Sequence, residues 1–137
     1  MKGCKNSDMA SVLITGGTGL IGRHLTQRLL QKGYEVGVLS RRKSQASEFR
    51  TYTWDLDKNE VRREAITTAD YIVHLAGANI GDKRWTTIRK RYIIDSRVLS
   101  TELIYSKLKK HPIKLKAFIS ASAIGYYGAT TSNKIFT

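Results

Sequence analysis

The 137-residue chain is poor in cysteine and contains no long uncharged apolar run. Its one cysteine, Cys4, lies in a polar leader, so a disulfide framework is excluded. That leader lacks the apolar core of a secretory signal, and no segment of the sequence reads as a membrane-spanning helix. We therefore expect a soluble cytoplasmic protein with no membrane partner.

Acidic residues are also scarce, since 11 of them stand against 24 lysines and arginines, a formal net charge of +13. Such an excess favours anionic partners, nucleic acid among them. The basic residues are scattered in short clusters rather than one block interleaved with aromatics, which is typical of solvated helix faces. We predict no specific nucleic-acid partner, and the predicted site includes no metal.

Length and apolar content indicate one ordinary domain. With 137 residues, 41% of them hydrophobic, the chain can bury one core and is too short for two. Residues 1–10 are polar and aperiodic, which predicts a flexible leader. Residues 11–137 are expected to form the single domain.

A glycine-rich stretch follows the first apolar run of this domain. The run at residues 11–15 predicts a strand, and a helical pattern over residues 20–32 leaves the stretch. Glycine permits a sharp turn and the close approach of a phosphate, which the free N–H groups of a helix start attract. A glycine-rich turn without a ligand is the alternative. The predicted dinucleotide-binding residues here are Gly16, Gly17, Thr18, Gly19, Leu20, Ile21 and Gly22.

The second predicted strand, residues 34–39, ends in Ser40-Arg41-Arg42. A carboxylate at this edge would accept hydrogen bonds from the adenosine ribose of NAD, and the sequence has none there. Two guanidinium groups and a hydroxyl suit a 2′-phosphate instead. We predict NADP as the cofactor, with NAD as the second choice. Arginines that are merely solvated in a loop are the alternative.

Further apolar runs continue an alternation of strands and helices. Strands are predicted at residues 50–54, 71–75 and 113–120, and helices at residues 58–67 and 85–110. This order predicts an α/β fold, a Rossmann-type doubly wound parallel sheet in the order 3-2-1-4-5 with three αβα layers, incomplete at the C-terminus.

The fourth predicted strand ends in the segment Leu75-Ala76-Gly77, whose small residues would let a cofactor ribose approach the backbone. His74 precedes this segment. A lone histidine inside an apolar strand is more often packed and hydrogen-bonded than catalytic, and we predict that role for it.

Several short motifs follow one another along the chain. They are the glycine-rich stretch, Asp55-Leu56, residues 74–77 and residues 122–128. Together they resemble the extended short-chain dehydrogenase/reductase superfamily, the NAD(P)-dependent epimerases and dehydratases. A narrower resemblance, to a subgroup of nucleoside-diphosphate-sugar epimerases, rests on Arg84-Trp85, Ser96-Arg97-Val98, Thr101 and residues 120–128. The resemblance covers residues 11–128.

The resemblance implies roles for particular residues. In relatives the residue matching Asp55 accepts a hydrogen bond from the adenine amino group, and its successor, here Leu56, packs on the ring. A loop cap is the alternative for Asp55. A serine at the end of the fifth strand holds the substrate's reacting oxygen, which makes Ser122 the candidate catalytic residue. Ser120 and Ala123 compete with it for that place.

The superfamily's catalytic Tyr-x-x-x-Lys pair lies on the helix after the fifth strand, before which this chain stops. The one such spacing here, Tyr105 to Lys109, precedes that strand and is a coincidence. We expect the N-terminal portion of a longer epimerase-like oxidoreductase, inactive on its own, that binds a dinucleotide and serves a nucleotide-sugar or other small-molecule substrate. Superfamily members often dimerise, so a homodimer is expected. A non-catalytic dinucleotide sensor or scaffold is the alternative function.

Overall fold

The structure is a computed structural model that describes residues 9–42, 48–111 and 113–121. Strands and helices alternate along these ranges. The strands are β1 (Ser11–Thr15), β2 (Glu35–Ser40), β3 (Arg50–Asp55), β4 (Glu60–Val61), β5 (Tyr71–His74) and β6 (Ala117–Ser120). The helices are α1 (Leu20–Gln31), α2 (Arg63–Thr67) and α3 (Thr87–Lys110).

The strands form one sheet in the order β4-β3-β2-β1-β5-β6. β1 lies between β2 and β5, and all neighbours except β3 and β4 pair in parallel. The five parallel strands follow the predicted 3-2-1-4-5 order, so the chain reverses its direction of travel across the sheet at β1. The predicted fold class, a Rossmann-type α/β fold, is confirmed.

The prediction of one helix over residues 58–67 is wrong in its first half. The chain turns back after β3, where the Asn59 N–H donates to the Leu56 carbonyl at 3.3 Å and Asn59 has a φ of 55°. Residues 60 and 61 then pair antiparallel with Asp55 and Trp54 as β4. A positive φ interrupts a right-handed helix, so α2 begins only after this hairpin and is 5 residues long.

Helices cover both faces of the sheet. α1 packs on a cluster of β-branched strand residues: Val12, Ile14, Val36, Val38 and Val73. α2 and α3 pack on the other face, whose core includes Leu13, Leu39, Trp54, Ile66, Ile72, Leu103 and Ile104. Ile21, Leu25 and Leu29 are spaced as one apolar stripe on α1. Leu25 and Leu29 contact the sheet, whereas Ile21 is 70% exposed.

Many of the apolar residues on α3 are exposed. Leu103 is buried and Leu108 packs against the core, but Ile88, Tyr92, Val98 and Leu99 are exposed. A 24-residue helix is about 36 Å long, far longer than the strands it crosses, so its first half extends past the sheet. Within the described ranges, none of the helices has the length and apolarity needed to cross a membrane.

Asp70 ties together the amino ends of β1, β5 and β6. Its Oδ2 accepts the Ser11 N–H at 2.8 Å, and its Oδ1 lies 3.3 Å from Lys116 Nζ. The hydrogen bond from Ser11 and, to a smaller extent, the Lys116 ammonium hold the pKa of Asp70 below its usual range. A carboxylate with a depressed pKa stabilises the fold above its unfolded pKa, and the contribution is lost as pH falls through the folded pKa.

We therefore expect Asp70→Asn to lower the free energy of unfolding by about 1 kcal/mol at neutral pH, since an amide loses the charge-assisted part of both contacts. Urea unfolding across the acid range measures this. The gap between wild type and variant should close as pH falls through the lowered pKa of Asp70, where the wild-type carboxyl is itself protonated. Asp57→Asn makes the same charge change on an exposed turn and serves as control. A gap that stays constant into acid would contradict the assignment.

Candidate functional site

The glycine-rich loop between β1 and α1 is packed too tightly for other residues. Gly16 has a φ of +71°, and a Cβ there would lie 2.9 Å from the Leu75 carbonyl carbon. A Cβ on Gly17 would lie 2.7 Å from the Val38 side chain, and one on Gly22 only 2.3 Å from the Gly16 carbonyl oxygen. These glycines hold the first turn of α1 directly against the end of β1.

The start of α1 has no internal cap. Its N-cap residue is Gly19, no side chain accepts from the first-turn N–H groups, and the first turn carries no acidic residue. Leu20 and Ile21 are 78% and 70% exposed there. The helix thus presents partial positive charge and apolar side chains at the carboxyl edge of the sheet, a combination that suits a phosphate joined to an organic group.

Arg23 adds a full positive charge to this loop. Its Nε donates to the Thr18 carbonyl at 2.9 Å, which folds the side chain back over the glycine-rich turn. Arg23 is not among the residues that the sequence predicts to bind the dinucleotide. Its position directly after Gly22, in the first helical turn, is the signal that would have identified it.

The ends of β2 and β3 border a cavity of about 500 Å³. Its lining includes Arg41, Asp55 and Thr53, so the structure brings together two of the predicted residues from different strands. Arg62 and Lys107 also line it, and nothing in the sequence pattern placed them there. Three cations and two carboxylates, Asp55 and Glu60, line this depression, so its net charge is +1 and only weakly favours an anionic ligand.

Ser40 and Arg42, from the same predicted set, form a local turn at this edge. The Ser40 hydroxyl oxygen accepts the Arg42 N–H at 3.2 Å, and both Arg41 and Arg42 are exposed. This turn begins at the last residue of β2. The two guanidinium groups therefore lie where the second parallel strand finishes, which is the position expected for them.

Asp55 caps the turn that follows β3. Its Oδ1 accepts the N–H groups of Asp57 at 3.0 Å and Lys58 at 3.1 Å. Asp55 therefore acts as the loop cap that was the alternative role for it. The other carboxylate oxygen, Oδ2, lies 3.9 Å from Lys58 Nζ and is exposed enough to accept a further hydrogen bond. Leu56 packs against the core cluster beneath α2 and α3.

The end of β5 is fastened to β1 by the Thr15 side chain. Thr15 Oγ1 accepts the Ala76 N–H at 3.1 Å and shares the Leu75 N–H, at 3.2 Å, with the Thr15 carbonyl oxygen. Leu75, Ala76 and Gly77 consequently follow the glycine loop closely, since Gly16 abuts Leu75 and Ala76. The three predicted residues of this segment and the glycine loop form one crevice.

α3 holds the next residues of the same segment. Ser96 Oγ accepts the Ala78 N–H at 2.9 Å, and the Arg97 guanidinium donates to the Ala78 carbonyl at 3.3 Å. A Cβ on Gly77 would lie 2.9 Å from the Arg97 guanidinium carbon. The Ser96-Arg97 motif therefore has a structural role: it clamps the strand end against the helix.

His74 is buried, 4% exposed, and hydrogen-bonded on both ring nitrogens, which confirms the prediction for it. Burial lowers its pKa from the ordinary value because a charged ring would be desolvated. The candidate catalytic Ser122 and its competitor Ala123 lie outside the described residues. Ser120 is exposed at the end of β6, next to His74 in the sheet register.

Comparisons with known proteins identify the family. The sequence model described as "NAD dependent epimerase/dehydratase family" matches residues 12–136. The chain belongs to this family. The "Epimerase family protein YfhF" of Bacillus subtilis is 35% identical over 128 residues, which are 93% of this chain and 42% of that protein. Human "Epimerase family protein SDR39U1" is 35% identical over 118 residues, 85% of this chain and 38% of that one.

Solved structures of epimerase-family proteins superpose on the chain. A crystal structure of human SDR39U1 with NADPH has a TM-score of 0.69 at 31% identity and covers 88% of this chain and 39% of that one. A "nucleoside-diphosphate sugar epimerase" from Corynebacterium glutamicum has a TM-score of 0.69 at 33% identity, over 93% and 25%. MoeE5 in complex with UDP-glucose and NAD, at 24% identity and a TM-score of 0.70, supports the fold alone. The chain spans about two-fifths of the length of the curated relatives named above.

Gly22→Ala tests the close approach on which this epimerase-family site is built. Helix propensity alone would favour alanine by about 1 kcal/mol. The 2.3 Å contact with a backbone oxygen opposes it, and overpacking of this kind costs about 1–3 kcal/mol. We expect a net loss of stability in thermal or urea unfolding.

Gln27→Ala, on the exposed face of the same helix, is the matched control and should change stability by no more than about 0.5 kcal/mol. A Gly22→Ala variant more stable than wild type would mean that the first turn of α1 is not pressed against the loop.

Proposed function

We propose that this chain is the NADP(H)-binding domain of an epimerase/dehydratase-like oxidoreductase whose substrate is a nucleotide-sugar or another small molecule. The observation that carries the NADP preference is the pair of exposed arginines, Arg41 and Arg42, at the end of β2, where no carboxylate stands. The NADPH in the crystal structure of human SDR39U1 is a second, independent support.

In this proposal each part of the cofactor has its own set of residues. The pyrophosphate lies at the uncapped start of α1, over Gly16, Gly17, Thr18, Gly19, Leu20, Ile21 and Gly22. The adenosine and its 2′-phosphate lie at the cavity beside Ser40, Arg41, Arg42, Asp55 and Leu56. The ribose nearest the nicotinamide approaches Leu75, Ala76 and Gly77. Support comes from the packing of these segments along one edge of the sheet.

Arg23 and Arg62 extend this set. Arg23 is fixed on the Thr18 carbonyl, so its charge lies on the proposed pyrophosphate side. Arg62 shares the cavity with Arg41. Both positive charges would attract the phosphates of the cofactor, and NADP carries one phosphate more than NAD.

The nicotinamide ring supplies hydride chemistry when the dinucleotide is bound. The chain's own residues bind and orient the cofactor, and we assign the substrate's reacting oxygen to Ser122. The single Tyr-x-x-x-Lys spacing cannot supply the proton step, because Tyr105 is exposed near the end of α3, with the Lys109 ammonium 5.4 Å from its ring. That end of α3 is opposite the Ser96–Ala78 clamp. Turnover is therefore not expected from this chain alone.

A non-catalytic dinucleotide sensor is the second candidate, and the position of Tyr105 and Lys109 favours it equally. Assay of the whole protein for substrate-dependent oxidation or reduction of the nicotinamide, or for epimerisation of a nucleotide-sugar, separates the two. Robust turnover overturns the sensor.

Fluorescence titration with NADPH and NADH tests the proposal. The wild-type chain should bind NADPH more tightly than NADH. In the double variant Arg41→Ala/Arg42→Ala, the NADPH dissociation constant should rise by about tenfold or more, equivalent to about 1.4 kcal/mol, while that of NADH changes little. The reason is that only the 2′-phosphate loses its partners.

Arg28→Ala/Lys32→Ala removes the same two positive charges from exposed positions at the end of α1; it is the control and should leave both affinities unchanged. Failure to bind either dinucleotide below about 1 mM would overturn the function, and tighter NADH would overturn only the NADP preference.

A further inference from the structure

The His74 ring connects three elements beneath the crevice. Its Nδ1 lies 2.7 Å from Thr15 Oγ1 on β1. Its Nε2 lies 3.2 Å from both Ser100 Oγ and Thr101 Oγ1 on α3. On β6, the Phe118 ring stacks at 6.0 Å between centroids. Thr15 is completely buried, so the contacts on the β1 side are sheltered from water.

The Thr15 hydroxyl can donate its hydrogen to only one of the groups around it. Its oxygen accepts the Ala76 N–H and part of the Leu75 N–H, which leaves no room for a third donor. The hydroxyl must therefore donate, and the group at 2.7 Å is His74 Nδ1. Nδ1 then acts as an acceptor and carries no hydrogen.

The α3 side requires the complementary arrangement. Ser100 Oγ donates to the Arg97 carbonyl at 3.0 Å and Thr101 Oγ1 donates to the same oxygen at 2.8 Å. Both hydroxyl oxygens are left as acceptors facing Nε2. A hydrogen on Nε2, shared between them, satisfies all three groups.

We propose that His74, as its neutral Nε2–H tautomer, is a positioning residue of the dinucleotide site that orients the Thr15 hydroxyl toward the N–H groups of Leu75 and Ala76. The inference rests on the proposed function, because it gives this crevice a cofactor. His74 itself is buried behind the strand end and touches no ligand. It acts through Thr15, whose hydroxyl oxygen fixes the position of the Leu75 and Ala76 backbone that the cofactor ribose approaches.

Protonation would reverse this arrangement. With a hydrogen on both nitrogens, Nδ1 would donate to Thr15 Oγ1 and compete with the Ala76 N–H for the oxygen. Among the described residues, the groups that face the ring are neutral: Thr15, Ser100, Thr101 and Phe118. On α3, the Arg97 guanidinium is directed to the Ala78 carbonyl instead. The neutral ring is also favoured by burial, which lowers the pKa of His74.

Two amide variants of equal polarity separate positioning from structural support. In His74→Asn, the side-chain oxygen can occupy the place of Nδ1 and accept from Thr15, while the contacts to α3 are lost. In His74→Gln, the longer amide reaches toward Ser100 and Thr101 but leaves the Thr15 hydroxyl without its acceptor. NADPH titration at neutral pH should find His74→Asn within about threefold of wild type and His74→Gln weaker by about tenfold or more.

Thermal unfolding of both variants provides the stability readout. A purely structural role predicts that affinity follows the melting temperature in both, and this result would overturn the proposal. Equal affinities for the two variants would overturn it too. If wild type binds no dinucleotide at all, the proposed function has failed. The tautomer is then decided on the protein alone by ¹⁵N NMR of the imidazole, where a hydrogen on Nδ1 contradicts the assignment.

Affinity measured over a series of pH values adds a readout that a purely structural role of His74 would not change. NADP⁺ is used because it withstands acid, and its 2′-phosphate itself titrates near pH 6, as phosphate monoesters do. His74→Asn supplies that baseline. Wild type should lose additional affinity relative to His74→Asn as pH falls through the lowered pKa of His74. Parallel profiles would overturn the proposal.

Discussion

The contact between the first turn of α1 and the end of β1 is the constraint on which the rest of the site depends. A helix can begin this close to a strand only if the residue at the contact has no Cβ, and Gly22 meets that condition against Gly16 and Gly17. The N-cap residue is also a glycine, Gly19, so no side chain caps the helix. The first turn therefore combines uncapped N–H groups with the exposed Leu20, which favours a bound anion.

A second set of contacts keeps the opposite wall of the crevice in place. The segment after β5 is held from β1 by Thr15 and from α3 by Ser96 and Arg97. The N–H groups of Ala76 and Ala78 and the Ala78 carbonyl are thereby satisfied without further strand pairing at this point. The wall can remain a bare main-chain surface, which suits a ligand that must lie close to it.

The parallel core could be predicted because each of its signals is local. Short β-branched runs, a glycine cluster and a glycine at the end of α1 each dictate backbone geometry within a few residues, and their order fixes the sheet. The β4 hairpin could not be predicted from the sequence, because it depends on the positive φ of Asn59 and on pairing with β3. The composition of residues 58–67 instead suits a helix. Within the candidate site, residues next to each other in the chain were found, whereas Arg62 and Lys107 needed the tertiary fold to reach the cavity.

Ser96, Arg97 and Thr101 illustrate what a sequence pattern alone does not show. In the sequence, these residues supported only a family resemblance and indicated no structural role. In the structure, Ser96 and Arg97 hold Ala78, and one turn later Ser100 and Thr101 face the His74 ring. Four residues within positions 96–101 therefore hold the end of β5.

The places where simple periodicity fails lie around the crevice. Ile21 continues the apolar stripe of Leu25 and Leu29 yet is exposed, since it stands at the level of the glycine loop rather than of the sheet. Asp55 uses one oxygen for its turn and keeps the other exposed. Local rules are usually broken where a site needs something other than a packed core. Both exceptions share one edge of the sheet, and the exposed Asp55 oxygen is an argument for a ligand there that does not depend on the glycine motif.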